Sequence, residues 1–185
     1  MMQQKGGSAP ARHQPSSPVT AIQRVAHAIA AVPKKVEKAT APKTGPLTQS
    51  QAVFRDALAR RTGLHPAVIG AWVNAEMGGK SSSAALAREK DRNYNWLNIA
   101  YYDNGPGKIT KDKTWKDPSS AANATADFLE GKKYGASEGI RKILRMAGHS
   151  PDEQINAIVK SGWASDPYNN GANLRDFVKR YPRGY

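Results

Sequence analysis

Chemistry in this chain is concentrated in two stretches, residues 67–79 and 93–102. The first, Ala67-Val-Ile-Gly-Ala-Trp-Val-Asn-Ala-Glu76-Met-Gly-Gly79, reads as a short apolar helix closed by a glycine pair, with one acid in its last turn. That turn is the negative end of the helix dipole, and Trp72 and Met77 are apolar neighbours. Such surroundings favour a carboxylic acid over a carboxylate, which is what a proton donor working near neutral pH needs. A lone glutamate near a helix end is also commonly a plain solvated charge, so position alone leaves both readings open. The second stretch, Asn93-Tyr-Asn-Trp-Leu-Asn-Ile-Ala-Tyr-Tyr102, interleaves flat rings with amides. Rings can stack on sugar faces and amides can bind sugar hydroxyls. Tyr94, Asn95, Trp96, Asn98 and Tyr102 are therefore candidate ligand-binding residues. Trp96, Ile99 and Trp115 suit a core equally well, and a share of these rings is expected to be structural.

The elements that must position these residues can be read from caps and apolar spacing. Thr48 and Gln51 have capping-box spacing and open a first helix, with Phe54, Ala57 and Leu58 as its stripe and Gly63 as its end. Pro66 suits the first turn of a second helix, lined by Val68, Ile69, Trp72, Val73 and Met77. Ser81, Ser82 and Ser83 offer caps for a third, running through Lys90. Rough alternation on both sides of Asp103-Asn-Gly-Pro-Gly107 predicts a small β-hairpin or three-strand flap over residues 93–115. Asp117-Pro118 opens a helix to about Glu130, with Ala121, Ala124, Thr125, Phe128 and Leu129 inward. Ile140, Ile143, Leu144 and Ala147 mark another, ended by Gly148, and Ser150-Pro151-Asp-Glu153 opens one through Val159. Residues 163–171 read as a loop, and Leu174, Phe177 and Val178 carry a last helix. The expectation is an α+β, mostly helical domain over residues 47–185 with about seven short helices. A basic, low-complexity arm, residues 1–46, precedes it, and residues 18–32 have amphipathic-helix spacing.

In sequence order, these motifs carry a family resemblance. A helix ending Ala75-Glu76-Met77-Gly78-Gly79, followed by Asn95-Trp96-Leu97-Asn98-Ile99, resembles the lysozyme-like glycoside hydrolases. There a catalytic glutamate ends a helix and an Asn-rich stretch of the N-P-L-N-I type follows. Ser161-Gly162-Trp163-Ala164-Ser165-Asp166-Pro167-Tyr168 is similar to the G-[YW]-A-T-D-P-x-Y segment of bacterial and phage glucosaminidases. The resemblance spans residues 54–181. It implies a lysozyme-like domain in which Glu76 protonates a glycosidic oxygen, Asn95 and Asn98 shape the cleft, and Trp163 and Tyr168 border it. Trp96 stands where the family often has proline, and the transglycosylase pattern of Glu-Ser with a Gly-Leu-Met-Gln block is absent. Glycosidases with two carboxylates need a partner for Glu76. Asp103, which opens the loop over the expected cleft, is preferred to Asp112, Asp117, Glu89 and Asp91. Asp117 is better read as a helix cap and Asp112 as a solvated charge between lysines. A lytic transglycosylase would need Glu76 alone.

Composition narrows the partners. Lys and Arg number 28 against 15 Asp and Glu, a net +13. Residues 1–45 hold seven basic residues and one acid, Glu37. Such a field attracts polyanions: nucleic acid, anionic lipid or acidic cell-wall polymers. The absence of cysteine excludes disulfides, zinc–thiolate sites and cysteine nucleophiles. His13, His27, His65 and His149 lack metal-ligand spacing, and no phosphate loop or nucleophile elbow is present, so neither metal nor cofactor is expected. Residues 25–32, interrupted by His27, are too short for a membrane span and are not expected to be a signal peptide. Lys111, Lys113 and Lys116 read as a solvated strand face rather than a nucleic-acid site. The resulting expectation is a peptidoglycan hydrolase, a phage endolysin or virion-associated lysin. It would act on the bacterial cell wall from the virion or the host cytoplasm. Its glycan strands would bind the domain, and anionic membrane lipid or other virion proteins would bind the arm. The rivals are a non-catalytic wall-binding or structural virion protein and a cationic nucleic-acid-binding virion protein.

Overall fold

The computed structural model describes residues 45–99, 114–133, 136–164 and 168–184. All lie in the unit Thr40–Tyr185. Among them are seven α-helices and one 3₁₀ segment: α1 (Gln49–Thr62), α2 (Pro66–Met77), α3 (Ser83–Lys90), α4 (Pro118–Leu129), α5 (Glu138–Arg141) continued by a 3₁₀ turn (Lys142–Met146), α6 (Pro151–Lys160) and α7 (Ala172–Arg180). The described residues are therefore mostly helical. The expected amphipathic stretch at 18–32 lies outside them, as do Tyr102, Asp103, Asp112 and the turn at 103–107.

Local chemistry accounts for most of the boundaries. Thr48 and Gln51 form both bonds of the capping box, as do Ser150 and Glu153. Asp117 accepts from the Ser120 backbone N–H at 2.7 Å, with Pro118 in the first turn of α4. These bonds satisfy amides that an α-helix start leaves without partners. The Ser120 backbone and hydroxyl hold the Asp117 carboxyl below the usual carboxylate range. α2 is apolar nearly all round, with Ala67, Val68, Ile69, Gly70, Ala71, Trp72, Val73 and Met77 buried. A helix of that kind belongs in a core, and α2 packs against α1, α6 and α7 while α4 covers α1. Leu47, Phe54, Leu58, Trp96, Leu97, Ile99, Leu129, Ile143, Ile155 and Leu174 complete that core, each with at most 1% of its surface exposed. Burial of one such side chain stabilises by about 1.5–3 kcal/mol.

The end of α2 is tied down with particular care. Gly78 has φ of +71°, and a Cβ there would lie 2.7 Å from that of Ser82. The Ser82 hydroxyl donates to the Met77 carbonyl at 2.6 Å, and Gln51 Nε2 donates to the Gly78 carbonyl at 3.0 Å. Gln51, the capping-box partner of Thr48 in α1, thus reaches the last carbonyls of α2.

Two expectations are corrected. Residues 93–99 form turns rather than a strand. The Asn93 side chain accepts from the Asn95 N–H at 3.1 Å, and the Trp96 N–H bonds to the Tyr94 carbonyl at 2.9 Å. Local bonds of this kind compete with strand pairing, and the alternation of rings reflects core packing instead. Residues 140–147 are likewise not one α-helix. Apolar residues at Ile140 and Ile143 fit three residues per turn as well as 3.6. The bare Cα of Gly139 packs on the Ser161 carbonyl, and only Ile143 of the 3₁₀ turn is buried.

Candidate active site

Glu76 sits half-buried at the carboxyl end of α2, whose last turn contains no basic residue. Three side chains from distant segments donate hydrogen bonds to it. Trp163 Nε1 reaches Oε1 at 3.1 Å, and the Tyr168 hydroxyl also donates to Oε1. Asn98 Nδ2 reaches Oε2 at 3.0 Å. Behind Tyr168 stands Trp72, whose Nε1 lies 3.1 Å from the phenol oxygen. An indole N–H can only donate. The Tyr168 oxygen therefore accepts from Trp72, and its own proton is free for Glu76. Burial, then the negative charge of Glu76, pushes the Tyr168 phenol well above its usual range, so Tyr168 remains a donor throughout neutral pH.

The donors are held firmly. The Trp163 ring meets Trp72 edge-on at 4.5 Å between centroids and Phe128 at 5.8 Å. Its backbone N–H donates to the Ser161 hydroxyl at 3.1 Å, which in turn donates to the Ile158 carbonyl at 2.7 Å. Tyr168 has φ of +57°, and Asn169, Asn170 and Gly171 continue in the left-handed region. Asparagine and glycine tolerate that conformation; for a tyrosine it costs about 1–2 kcal/mol. The strained turn is closed by Gly171 N–H to the Tyr168 carbonyl at 3.1 Å. Backbone strain retained beside a polar cluster is a feature of functional sites.

The structure sorts the candidate residues into two groups. Asn98, Trp163 and Tyr168 converge on Glu76. Asn95 and Trp96 do not, which corrects their expected place on a ligand surface. Asn95 is 1% exposed and clamps its own loop, donating to the Ile99 carbonyl at 3.1 Å and accepting from the Ile99 N–H at 3.0 Å. Trp96 is wholly buried, with no partner for Nε1 among the described residues, so neither face of its ring is available for stacking. Burial in an apolar core overrode its ligand-binding chemistry. Tyr94 is half-buried, its ring edge-on to Trp96 at 6.4 Å. Tyr102 and Asp103 lie outside the described residues.

Two contributors were not found by reading the sequence. Trp72 was assigned to the apolar stripe, which it does line, but its one polar atom serves the site. The spacing carries only half of the signal: Trp72 and Glu76 are four apart and share a helix face, but the acceptor, Tyr168, lies 96 residues from Trp72. Arg88 of α3, which bonds to Asn98 Oδ1 at 2.8 Å, carries no such signal. Among the described residues, no group of three His, Asp or Glu side chains could hold a metal ion.

A carboxylate offers about four acceptor positions, two on each oxygen. Among the described residues, Oε1 accepts from Trp163 and Tyr168, which fill both of its positions, and Oε2 accepts from Asn98 alone. That arrangement leaves Oε2 as the oxygen with room for a proton. No family model matches the chain, and neither a curated protein nor a solved structure matches it.

Proposed function

We propose that Glu76 is the general acid/base of a lysozyme-like peptidoglycan hydrolase that cleaves a β-1,4-glycosidic bond of the cell-wall glycan. The single observation that carries this reading is the convergence of Asn98, Trp163 and Tyr168 on one half-buried carboxyl at a helix end. These are the segments on which the family resemblance rests. In the reaction, the Oε2 proton passes to the glycosidic oxygen as the C–O bond breaks. The carboxylate then takes a proton from the incoming nucleophile, either water or a hydroxyl of the substrate. Trp163 and Tyr168 keep Oε1 occupied, so the proton does not move to the wrong oxygen. The charge developing on Glu76 is met by donors already in place, which costs no reorganisation during the reaction. The cationic surplus of the chain favours approach to an acidic wall. We assign the protein to bacteriophage lysis or wall entry, with the basic arm bound to anionic lipid or another virion protein.

The test uses purified peptidoglycan and mass spectrometry of the released fragments. The parent should release muropeptides, and Glu76→Gln should release them about 10²–10⁴-fold more slowly. A reducing muramic acid, a reducing glucosamine or an anhydro end identifies the bond and the nucleophile. An inactive parent, or a Glu76→Gln variant as fast as the parent, sinks the assignment and leaves a wall-binding module.

A further inference from the structure

We propose that Arg88 is a positioning residue for Glu76, acting through the side-chain amide of Asn98. Its catalytic consequence rests on the reading of Glu76 given above; the orientation itself stands on geometry alone. An asparagine amide has one acceptor and one donor end of nearly equal shape, and nothing intrinsic decides which faces a neighbour. Here the decision is made from behind. Arg88 Nη2 lies 2.8 Å from Asn98 Oδ1, and a guanidinium has only donors to offer. Oδ1 is therefore held toward α3, and Nδ2 must face Glu76 Oε2, at 3.0 Å. With the amide reversed, the N–H₂ would meet the guanidinium donors and Oδ1 would meet the carboxyl oxygen, so both contacts would be repulsive for an ionised Glu76.

The same arginine fixes the backbone that carries Asn98. Arg88 Nη1 donates to the Asn95 carbonyl at 3.2 Å, and the Asn95 side chain closes the loop onto Ile99. Asn98 itself has φ of +52°, a conformation asparagine accepts more readily than most residues. Trp96, Leu97 and Ile99 are anchored in the core, which leaves Asn98 as the member of the loop turned toward Glu76. Arg88 therefore sets both the place and the polarity of the donor on Oε2, the oxygen assigned above to carry the transferable proton. It is a positioning residue, since the bonds described for it reach Asn98 and the Asn95 carbonyl.

Arg88 makes a further interaction beyond these bonds, so a cycle with Asn98→Ala, rather than one variant, isolates the pathway. Two readouts decide the matter on the full chain. The first is the NMR signal of the Asn98 side-chain amide. It should shift in both Glu76→Gln and Arg88→Met, and Arg88→Lys, which keeps a donor, should return it toward the parent position. The second is muropeptide release. Arg88→Met should lower kcat about tenfold with KM little changed, the size of one lost hydrogen bond in the transition state. Arg88→Lys should restore much of it, and Arg88→Met should add nothing further in an Asn98→Ala background. An Asn98 amide signal unchanged in Arg88→Met, or fully additive losses in the double variant, overturns the proposal. If the parent cleaves no glycan, the reading of Glu76 falls while the amide signal still decides the orientation. Should Arg88→Met fail to fold, Arg88→Gln, which loses the charge and the forked donors, and the Asn98→Ala, Arg88→Gln pair carry the same comparison.

Discussion

Two of the places in this molecule that hold carboxylates do so in opposite ways. Along the seam between α1 and α4, Asp127 and Glu130 sit among cations: Arg61 lies 2.8 Å from Asp127 and 3.3 Å from Glu130, and Lys132 and Lys133 close the group. At the end of α2, the side chains that reach Glu76 among the described residues are all neutral. A chain with a net charge of +13 has no shortage of cations for either place. The last turns of α1, α3, α5, α6 and α7 all carry basic residues, as the helix dipole favours, whereas α2 ends on an acid. The seam joins the long side chains of Arg61, Lys132 and Lys133 to partly exposed carboxylates, pairs that lose rotamer freedom to form and are screened by salt. The Glu76 cluster is made of short-reach or rigid groups packed into the core, which hold an oxygen to a fixed position without cancelling its charge. The first arrangement suits solubility and modest stabilisation. The second suits a group whose charge must change during a reaction.

The largest effect that tests this contrast is expected from Tyr168→Phe. It strands the indole N–H of Trp72, a wholly buried residue, and removes one of two donors from Oε1. An unsatisfied buried donor costs about 1–3 kcal/mol. Thermal unfolding should therefore move down by several degrees, and wall cleavage should fall about tenfold or more. Because the partners are neutral, the change in Tm should be the same in 50 mM and 1 M salt; a shift that vanishes in salt would place Tyr168 in the same class as the seam. Next in size is Trp163→Phe. It keeps an aromatic ring beside Trp72 and Phe128 but removes the N–H together with the rest of the five-membered ring, so stability should drop by about 1–3 kcal/mol. Cleavage should fall more than that figure alone implies if Oε1 must be filled twice to keep the proton on Oε2. Equal losses of stability and activity would argue that the ring, not the N–H, matters.

How far such a site can be read from sequence depends on the range of the forces that build it. Helix starts are local, and Thr48 with Gln51, Asp117 with Pro118, and Ser150 with Glu153 were legible because cap and partner lie within three residues. Glu76 was legible as an acid at the wrong end of a helix, and Trp163 and Tyr168 through the motif they share. The relay from Trp72 was not, because a tryptophan on an apolar stripe looks like core and is core; its acceptor lies 96 residues away. Asn95 and Trp96 were misplaced for a related reason. Amides and rings that could bind sugar equally serve to close a loop and fill a core, and only burial separates the two uses. The same loss of local information explains residues 93–99, where side-chain bonds from Asn93 and Asn95 produce turns from a pattern that alternates like a strand.

The smallest expected effect is at the seam, and its pH dependence separates it from the α2 end. The hydrogen bond from Arg61 is the chief reason the Asp127 carboxyl lies below its usual range, and that from Lys132 is the chief reason for Glu130. A carboxyl depressed in the folded state stabilises at pH values above its unfolded value, about 4. That contribution disappears as pH falls through the lower folded value. Arg61→Ala should thus lower Tm slightly at pH 7 in dilute buffer. The gap to the parent should narrow as the pH is taken below about 4 and should close in 1 M salt, where the Debye length is about 3 Å. Wall cleavage should not change beyond what the salt itself does to approach. If instead the Arg61→Ala gap survives both acid and salt, the seam is held by packing of the arginine stem rather than by charge. The two ways of holding a carboxylate would then differ less than the geometry indicates.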